Sequence, residues 1–533
     1  MYKSMQCFVL LLPLFCNAIS DEKHFEIRRS VRQTETQTIK SNIAKFDAKK
    51  SLSNQTSNGD EKKYSDLRGS FNKALSHQSS GYADPNAFQS LVLALTSERV
   101  EDFNNILIGT GTVKLANPQA CLAYSLAAND SWINYIRPAP QFASAETAGE
   151  MVEVYWTALI RDVPFNEFDT NGTVGSAVSE LNTLSDFRGP KVGGLVTRGT
   201  FLRGNTPGDL TGPYISQFLF QPIPYGAITL NPEQEVPLAG TSNDFLTTFN
   251  DWYTVINGGS TGDSVTFDGT PHFIRTPRDL CEFVHRDYPG QAFLNAVLLL
   301  NSYGAAALDP NNPYLSNETQ DAFVTYGIGQ ILEYFAEAVQ EGLKTAWYQK
   351  WQVNRRCRPE EFGFYVQEQK ANSQPLGIHS DLINSSALTN IFGTFGSYFL
   401  PQAFPEGCPT HPSYPAGHGL ISGACATIIK AFFNEDYEIQ NPLQPNAANT
   451  ALEAYGGMVK VGDELNKLAS NISLGRDHAG VHYRSDGIEG LLLGEQVAID
   501  ILNNSGFLGN ENFSGFSLTK FDGTKVIVGR KRS

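Results

Sequence analysis

Residues 411–433 read HPSYPAGHGLISGACATIIKAFF. A helical pattern opens after Pro415, and its apolar run continues from Leu420 to Phe433. Ala416-Gly417-His418 therefore stands at a helix start, where the first backbone N–H groups have no partner inside the helix. A glycine there admits close approach of a ligand, and the helix dipole favours negative charge. This stretch predicts a helix whose N-terminus faces an anion.

Working outward, the second half of the chain repeats the helical signal. Thr276-Pro277-Arg278-Asp279 introduces a pattern running through Asn301, and a longer one spans Asp321 to Trp351, stopped before Arg358-Pro359. Further patterns follow Asn449 and run from Asp486 to Asn503. Residues 160–275 are rich in Gly, Pro, Thr and aromatics, which predicts long loops and short strands. Near the C-terminus, FSLTKFDGTKVIV (residues 516–528) alternates around Asp522-Gly523 and predicts a β-hairpin. The body is expected to be mainly α with irregular loop insertions and that small hairpin.

Two other segments stand beside the opening one in chemistry: KWQVNRRCRP at 350–359 and SLGRDHAGVHYRSDG at 473–487. Four of the nine histidines (His411, His418, His478, His482) fall between His411 and His482. An oxyanion with three or four oxygens needs cations that stay charged, and arginine donates two parallel hydrogen bonds from one planar fork. Lys350 and Arg358 bracket the end of one helical pattern, and Arg476 and His482 supply another fork and an imidazole. A lone histidine is more often a core hydrogen-bonding group, and a Lys eight residues before an Arg is common surface chemistry. The three segments together make a coherent anion site.

They resemble the signature shared by vanadium haloperoxidases, type-2 phosphatidic acid phosphatases and bacterial acid phosphatases. Lys350, Arg358-Pro359, Pro415-Ala416-Gly417-His418, Arg476, His482 and Asp486 match it in order and spacing. Trp347, the HPSYP lead-in and HYRSDGIEGLLLGE are similar to the algal bromo- and iodoperoxidase branch. The resemblance implies two packed helical bundles and vanadate as cofactor. By it, His482 bonds vanadium, while Lys350, Arg358, Arg476 and the Gly417 amide balance the charge on its oxygens. His418 would be the acid-base group, Lys350 would polarise bound peroxide, and Trp347 would pack behind the site. Asp287 falls where the family keeps a carboxylate behind the second arginine; an ordinary helix-surface charge is the alternative. His411, where chloroperoxidases carry an aromatic, points to bromide or iodide, or else to a hydrogen bond within its turn. The departure is Ala416, where the family usually has a serine; Ser413 is a candidate substitute for the missing hydroxyl.

The resemblance implies oxidation of halide by hydrogen peroxide to hypohalous acid, which halogenates organic nucleophiles, in a homo-oligomer. A phosphatase with the same pocket, His482 then being the nucleophile, and a non-catalytic oxyanion-binding homologue are the rivals. Composition bounds the rest. A net charge of −15 excludes nucleic acid and anionic membranes as expected partners. Residues 1–20, MYKSMQCFVLLLPLFCNAIS, predict a secretory signal peptide and a secreted protein. Residues 21–65 are Lys-, Ser- and Asn-rich and are expected to be a disordered tail or pro-segment, followed by one catalytic domain over 66–533. Cys121, Cys281, Cys357, Cys408 and Cys425 remain after the leader; the odd number leaves at least one thiol free or paired between chains. The oxygen-rich DPNNPYLSNETQD loop (Asp309 to Asp321) is compatible with calcium, with a solvated loop as the alternative.

Overall fold

The computed structural model describes residues 21–51 and 54–530, so the leader expected over 1–20 lies outside the described residues. The chain divides into two units, Met1–Ser51 and Leu52–Ser533. In the first, α1 (Asp21–Asp47) is one continuous helix. This corrects the disorder expected of residues 21–65. Residues 21–47 are polar but hold neither proline nor glycine, and their Glu, Lys, Arg and Gln residues favour helix. The correction extends to residues 54–65, which are built into the second unit. Asp60 is buried and accepts the Phe142 N–H at 2.7 Å, and Gln55 donates to the carbonyls of Trp132 and Asn134.

Within the second unit, seven helices are placed by the same local rules. They are α2 (Ala145–Ile160), α3 (Pro277–Arg286), α4 (Gln291–Ser302), α5 (Ile328–Tyr348), α6 (Pro359–Ala371), α7 (Gly417–Phe432) and α8 (Val461–His478), and they are followed by α9 (Arg484–Ser505). α7 is the centre of one bundle, packed on α5, α8 and α9, with α3 against α8. The α7–α9 contact is the closest because its facing residues are glycines. A Cβ on Gly423 would overlap the Leu491 carbonyl, and one on Gly494 would overlap the Leu420 carbonyl. α2 is the centre of the second bundle, flanked by the helices Gly172–Leu181, Ser380–Ile383 and Ser386–Phe395 and touching α8. Strands occur only as two-stranded antiparallel hairpins among the described residues. The last pairs Phe516–Thr519 with Lys525–Val528 around Asp522-Gly523, in the expected place.

Two expected helices differ in ways that matter for the site. The pattern from Thr276 to Asn301 is two helices, not one. α3 starts on a capping box between Thr276 and Asp279 and stops at Arg286; Pro289 and Gly290 (φ 83°) then turn the chain before α4. Asp287 is released onto extended backbone by this break. The pattern from Asp321 begins only at Ile328, after Tyr326 in left-handed backbone at φ 54°. At its far end, α5 runs into a single π turn, Gln349–Asn354, which carries Lys350, and closes on Arg355 at φ 34°. Asp309 spends a carboxylate oxygen on the Asn311 N–H at 2.8 Å, and no group of three His, Cys, Asp or Glu side chains converges as a metal site among the described residues. All five cysteines are buried and free.

Candidate oxyanion site

Four chain segments meet at the start of α7. The π turn after α5 brings Lys350, the residue capping α6 is Arg358, the last turn of α8 brings Arg476, and the loop into α9 brings His482. The Ala416 N–H donates to the Asp486 carbonyl at 2.8 Å, which ties the α7 start to the α9 start. Lys350, Arg358, Gly417, Arg476 and His482, the five residues expected to hold an oxyanion, thereby lie on segments that meet in one place.

The cations are buried without carboxylates. Lys350 donates through Nζ to the carbonyls of Pro412 (2.6 Å) and Ser413 (2.9 Å). Burial and the neighbouring charge of Arg358 hold its amine well below the usual lysine range. Arg358 donates to the carbonyls of His411 (2.9 Å) and Val481 (2.7 Å), and its two Nη groups reach His482 Nε2 and His411 Nδ1, both at 2.9 Å. Arg476 donates through Nη1 to the Val284 carbonyl at 2.7 Å, while its Nε–H is buried without any partner. None of the three forms an ion pair among the described residues.

His482 is prepared as a ligand by what surrounds it. Asp486, fully buried, takes the Nδ1–H at 2.9 Å and also accepts the Tyr483 N–H and the Ser413 hydroxyl. Nε2 is then the nitrogen that carries the lone pair, which here accepts the Arg358 Nη1–H at 2.9 Å. Burial and the charges of Arg358 and Lys350 push the imidazole well below the usual histidine value, so it stays neutral. Asp486 is itself held by Arg356 at 2.8 Å. Ser413 therefore cannot stand in for the hydroxyl missing at Ala416: its hydroxyl is spent on Asp486.

Ala416 caps α7 with no side-chain hydrogen bond. At Gly417 an added Cβ would meet only Trp347 Cζ3, at 3.8 Å, so the space beside the helix start is open. His418, the second residue of α7, shares its Nε2 with Asp287 Oδ1 at 2.9 Å. Asp287 is thus not a surface charge; its direct partner is the histidine, with Arg476 feeling its field from further off. His411 lies under Trp347 with ring centroids 4.8 Å apart, and Trp347 is anchored by its Nε1–H on the Ala116 carbonyl. The expectation missed Arg356, although it sits inside KWQVNRRCRP. Pro359 marks Arg358 in the sequence and nothing local marks Arg356; its role is set by the carboxylates facing it across the fold.

The buried orphan N–H of Arg476, the open space at Gly417, the neutral lone-pair nitrogen of His482 and three unpaired cations fit a tetrahedral oxyanion bonded to one imidazole. Fold and site define a helical-bundle protein of the vanadium haloperoxidase type. The family model for the VCPO second helical-bundle domain matches residues 334–506. The chain is 33% identical over 545 residues to the vanadium-dependent bromoperoxidase of Corallina pilulifera, covering 86% of this chain and 90% of that protein. It is 30% identical to the vanadium-dependent bromoperoxidase of Ascophyllum nodosum, covering 84% of each. Its structure is similar to that of the homohexameric second vanadate-dependent bromoperoxidase from Ascophyllum nodosum, with a TM-score of 0.87, 26% identity, and coverage of 98% of this chain and 95% of that one. The chain belongs to the vanadium-dependent haloperoxidase family.

Proposed function

We propose that this protein oxidises bromide or iodide with hydrogen peroxide and a proton, giving hypohalous acid and water, with vanadate as cofactor. The observation that carries the reading is the gathering of Lys350, Arg358 and Arg476, buried and without carboxylate partners, around His482, whose Nε2 lone pair meets only an Arg358 N–H. Vanadate, when bound, supplies a Lewis acid that activates peroxide toward halide attack. His482 would hold it through Nε2, with Asp486 fixing the ring. Arg358, Arg476 and Lys350 would offset the oxyanion charge, aided by the amide of Gly417. His418, hydrogen-bonded to Asp287 and partly open to solvent, would take and return a proton at its ring nitrogen.

His411 supports bromide or iodide over chloride, because Arg358 and Trp347 hold a polar ring where the chloride-oxidising relatives keep an aromatic one. The hypohalous acid released halogenates organic nucleophiles in solution. The hexameric relative supports a homo-oligomeric assembly, which light scattering measures directly. The leader-like residues 1–20 support secretion, to be read from the N-terminus of the protein recovered outside the cell.

The deciding experiment loads metal-free protein with orthovanadate and follows peroxide-dependent oxidation of iodide, bromide and chloride. Activity should appear with vanadate, fall with competing phosphate, and favour iodide and bromide. Activity indifferent to both oxyanions would refute the reading, and phosphomonoester hydrolysis in its place would make the pocket a phosphatase.

A further inference from the structure

A second cavity lies away from the oxyanion pocket. His478 is two residues past Arg476, which places it about 200° round α8, on the opposite face. Its ring centroid lies 6.4 Å from Phe165 and 6.5 Å from Tyr214. Those two rings stack on each other at 3.8 Å and 7°, and together they line a cavity of about 350 Å³. Tyr455 lines it too, as do Arg198 and Arg203. The size falls at the lower end of small-molecule sites, roughly 300–1,000 Å³.

Two arginines in this cavity are not in ion pairs: Arg198 and Arg203 have no carboxylate partner among the described residues. Arg198 donates through Nη1 to the Phe168 and Asn171 carbonyls, and Arg203 donates to the carbonyls of Asp209 and Gly212. Both are only half-buried, and Arg203 lies 5.2 Å over the Tyr214 ring. A third arginine in the lining, Arg275, is paired with Asp279, and the carboxylate of Asp169 is exposed. The Tyr214 hydroxyl is already donated to the Leu202 carbonyl, which fixes the ring as a wall.

An inorganic anion would leave the aromatic wall unused, and a neutral aromatic would leave the arginines unused. We propose that this cavity binds a small aromatic carboxylate. Its ring packs against the Phe165–Tyr214 wall and its carboxylate accepts from Arg198 and Arg203.

Titration calorimetry on the full chain without vanadate tests this with 4-hydroxybenzoate, benzyl alcohol and acetate. 4-Hydroxybenzoate should bind once per chain, with benzyl alcohol and acetate each at least tenfold weaker. Arg198→Gln should weaken it tenfold or more with the circular dichroism unchanged, and His482→Ala should leave it intact. Tyr455→Ala, which spares the backbone bonds that Arg198 makes, should also weaken it. The proposal falls if 4-hydroxybenzoate gives no heat of binding, or if benzyl alcohol binds equally well. It falls too if binding survives both Arg198→Gln and Tyr455→Ala, or if His482→Ala abolishes it, which would place the ligand in the oxyanion pocket.

Discussion

Two sets of buried arginines sit side by side in this molecule and differ in one respect. Arg356 is bonded to Asp486 at 2.8 Å and Glu150 at 3.0 Å and lies 3.8 Å over the Tyr483 ring. Arg484 pairs with Glu153, and Arg161 with Asp244, each at 2.6 Å. Arg358 and Arg476, with Lys350, are just as deeply buried but meet only carbonyls and imidazoles. Withdrawing a cation from water costs several kcal/mol. The paired set recovers that cost internally, whereas the unpaired set recovers it only when an anion arrives. Neighbours two residues apart in RRCR thus divide into scaffold and site by what faces them.

The comparison breaks most visibly at His482. His482→Ala should remove the one nitrogen ligand and lower halide oxidation by more than about 100-fold, beyond the usual loss for a ligand's supporting partner. His478→Ala, in the same motif, should leave oxidation within a few-fold of wild type, since its ring faces away and has no polar partner. Steady-state assays of both variants after vanadate loading decide it.

The paired side breaks differently. Arg356→Gln strands Asp486 and Glu150 without their cation, so unfolding in guanidinium should show a loss of about 3–5 kcal/mol. Arg358→Gln should cost less in stability and more in vanadate affinity. Equal stability losses from the two would erase the distinction.

Ala416→Ser sharpens the unpaired side. A hydroxyl at this cap position can accept from the first turn of α7 while donating its proton to the oxyanion. A gain of about 1 kcal/mol would tighten vanadate several-fold in a titration of metal-free protein. Unchanged affinity would show that the missing hydroxyl does not limit binding.

The smallest effect is a pH dependence beside the site. His285 stacks on Phe404 at 3.8 Å and touches Glu406 and Glu282. Burial opposes its charge, but the two carboxylates prevail and raise it from 6.5 to about 9. A raised folded value gives stability present in full below pH 6.5 and lost as pH rises through about 9. The thermal midpoint of His285→Asn should therefore lie below wild type at pH 6 and converge with it near pH 10.

The oxyanion residues were legible because each lies in a short segment with a proline, glycine or second charge to mark it. Partners were not legible. Asp287 was expected behind an arginine and instead bonds His418, because Pro289 and Gly290 end α3 early and free its backbone. That break was written in the sequence and outweighed by the apolar periodicity on either side. Ser413 and Arg356 could not be assigned at all, since both answer to Asp486, 73 and 130 residues further along the chain. The α1 segment was misread because lack of a hydrophobic face argues against packing, not against helix.

The burial of the cysteines has a consequence for the working life of the enzyme. Hypohalous acid attacks thiolates and thioethers, so a catalyst that releases it is exposed first to its own product. Here Cys121 and Cys281 are pushed up to about 11 and about 12 by burial, and burial raises Cys357, Cys408 and Cys425 as well. Each thiol is kept both protonated and out of reach. Met151 is buried in α2, which leaves Met458, 61% exposed, as the accessible sulfur among the described residues. Self-inflicted oxidation has one soft target there, just ahead of the helix that carries Arg476.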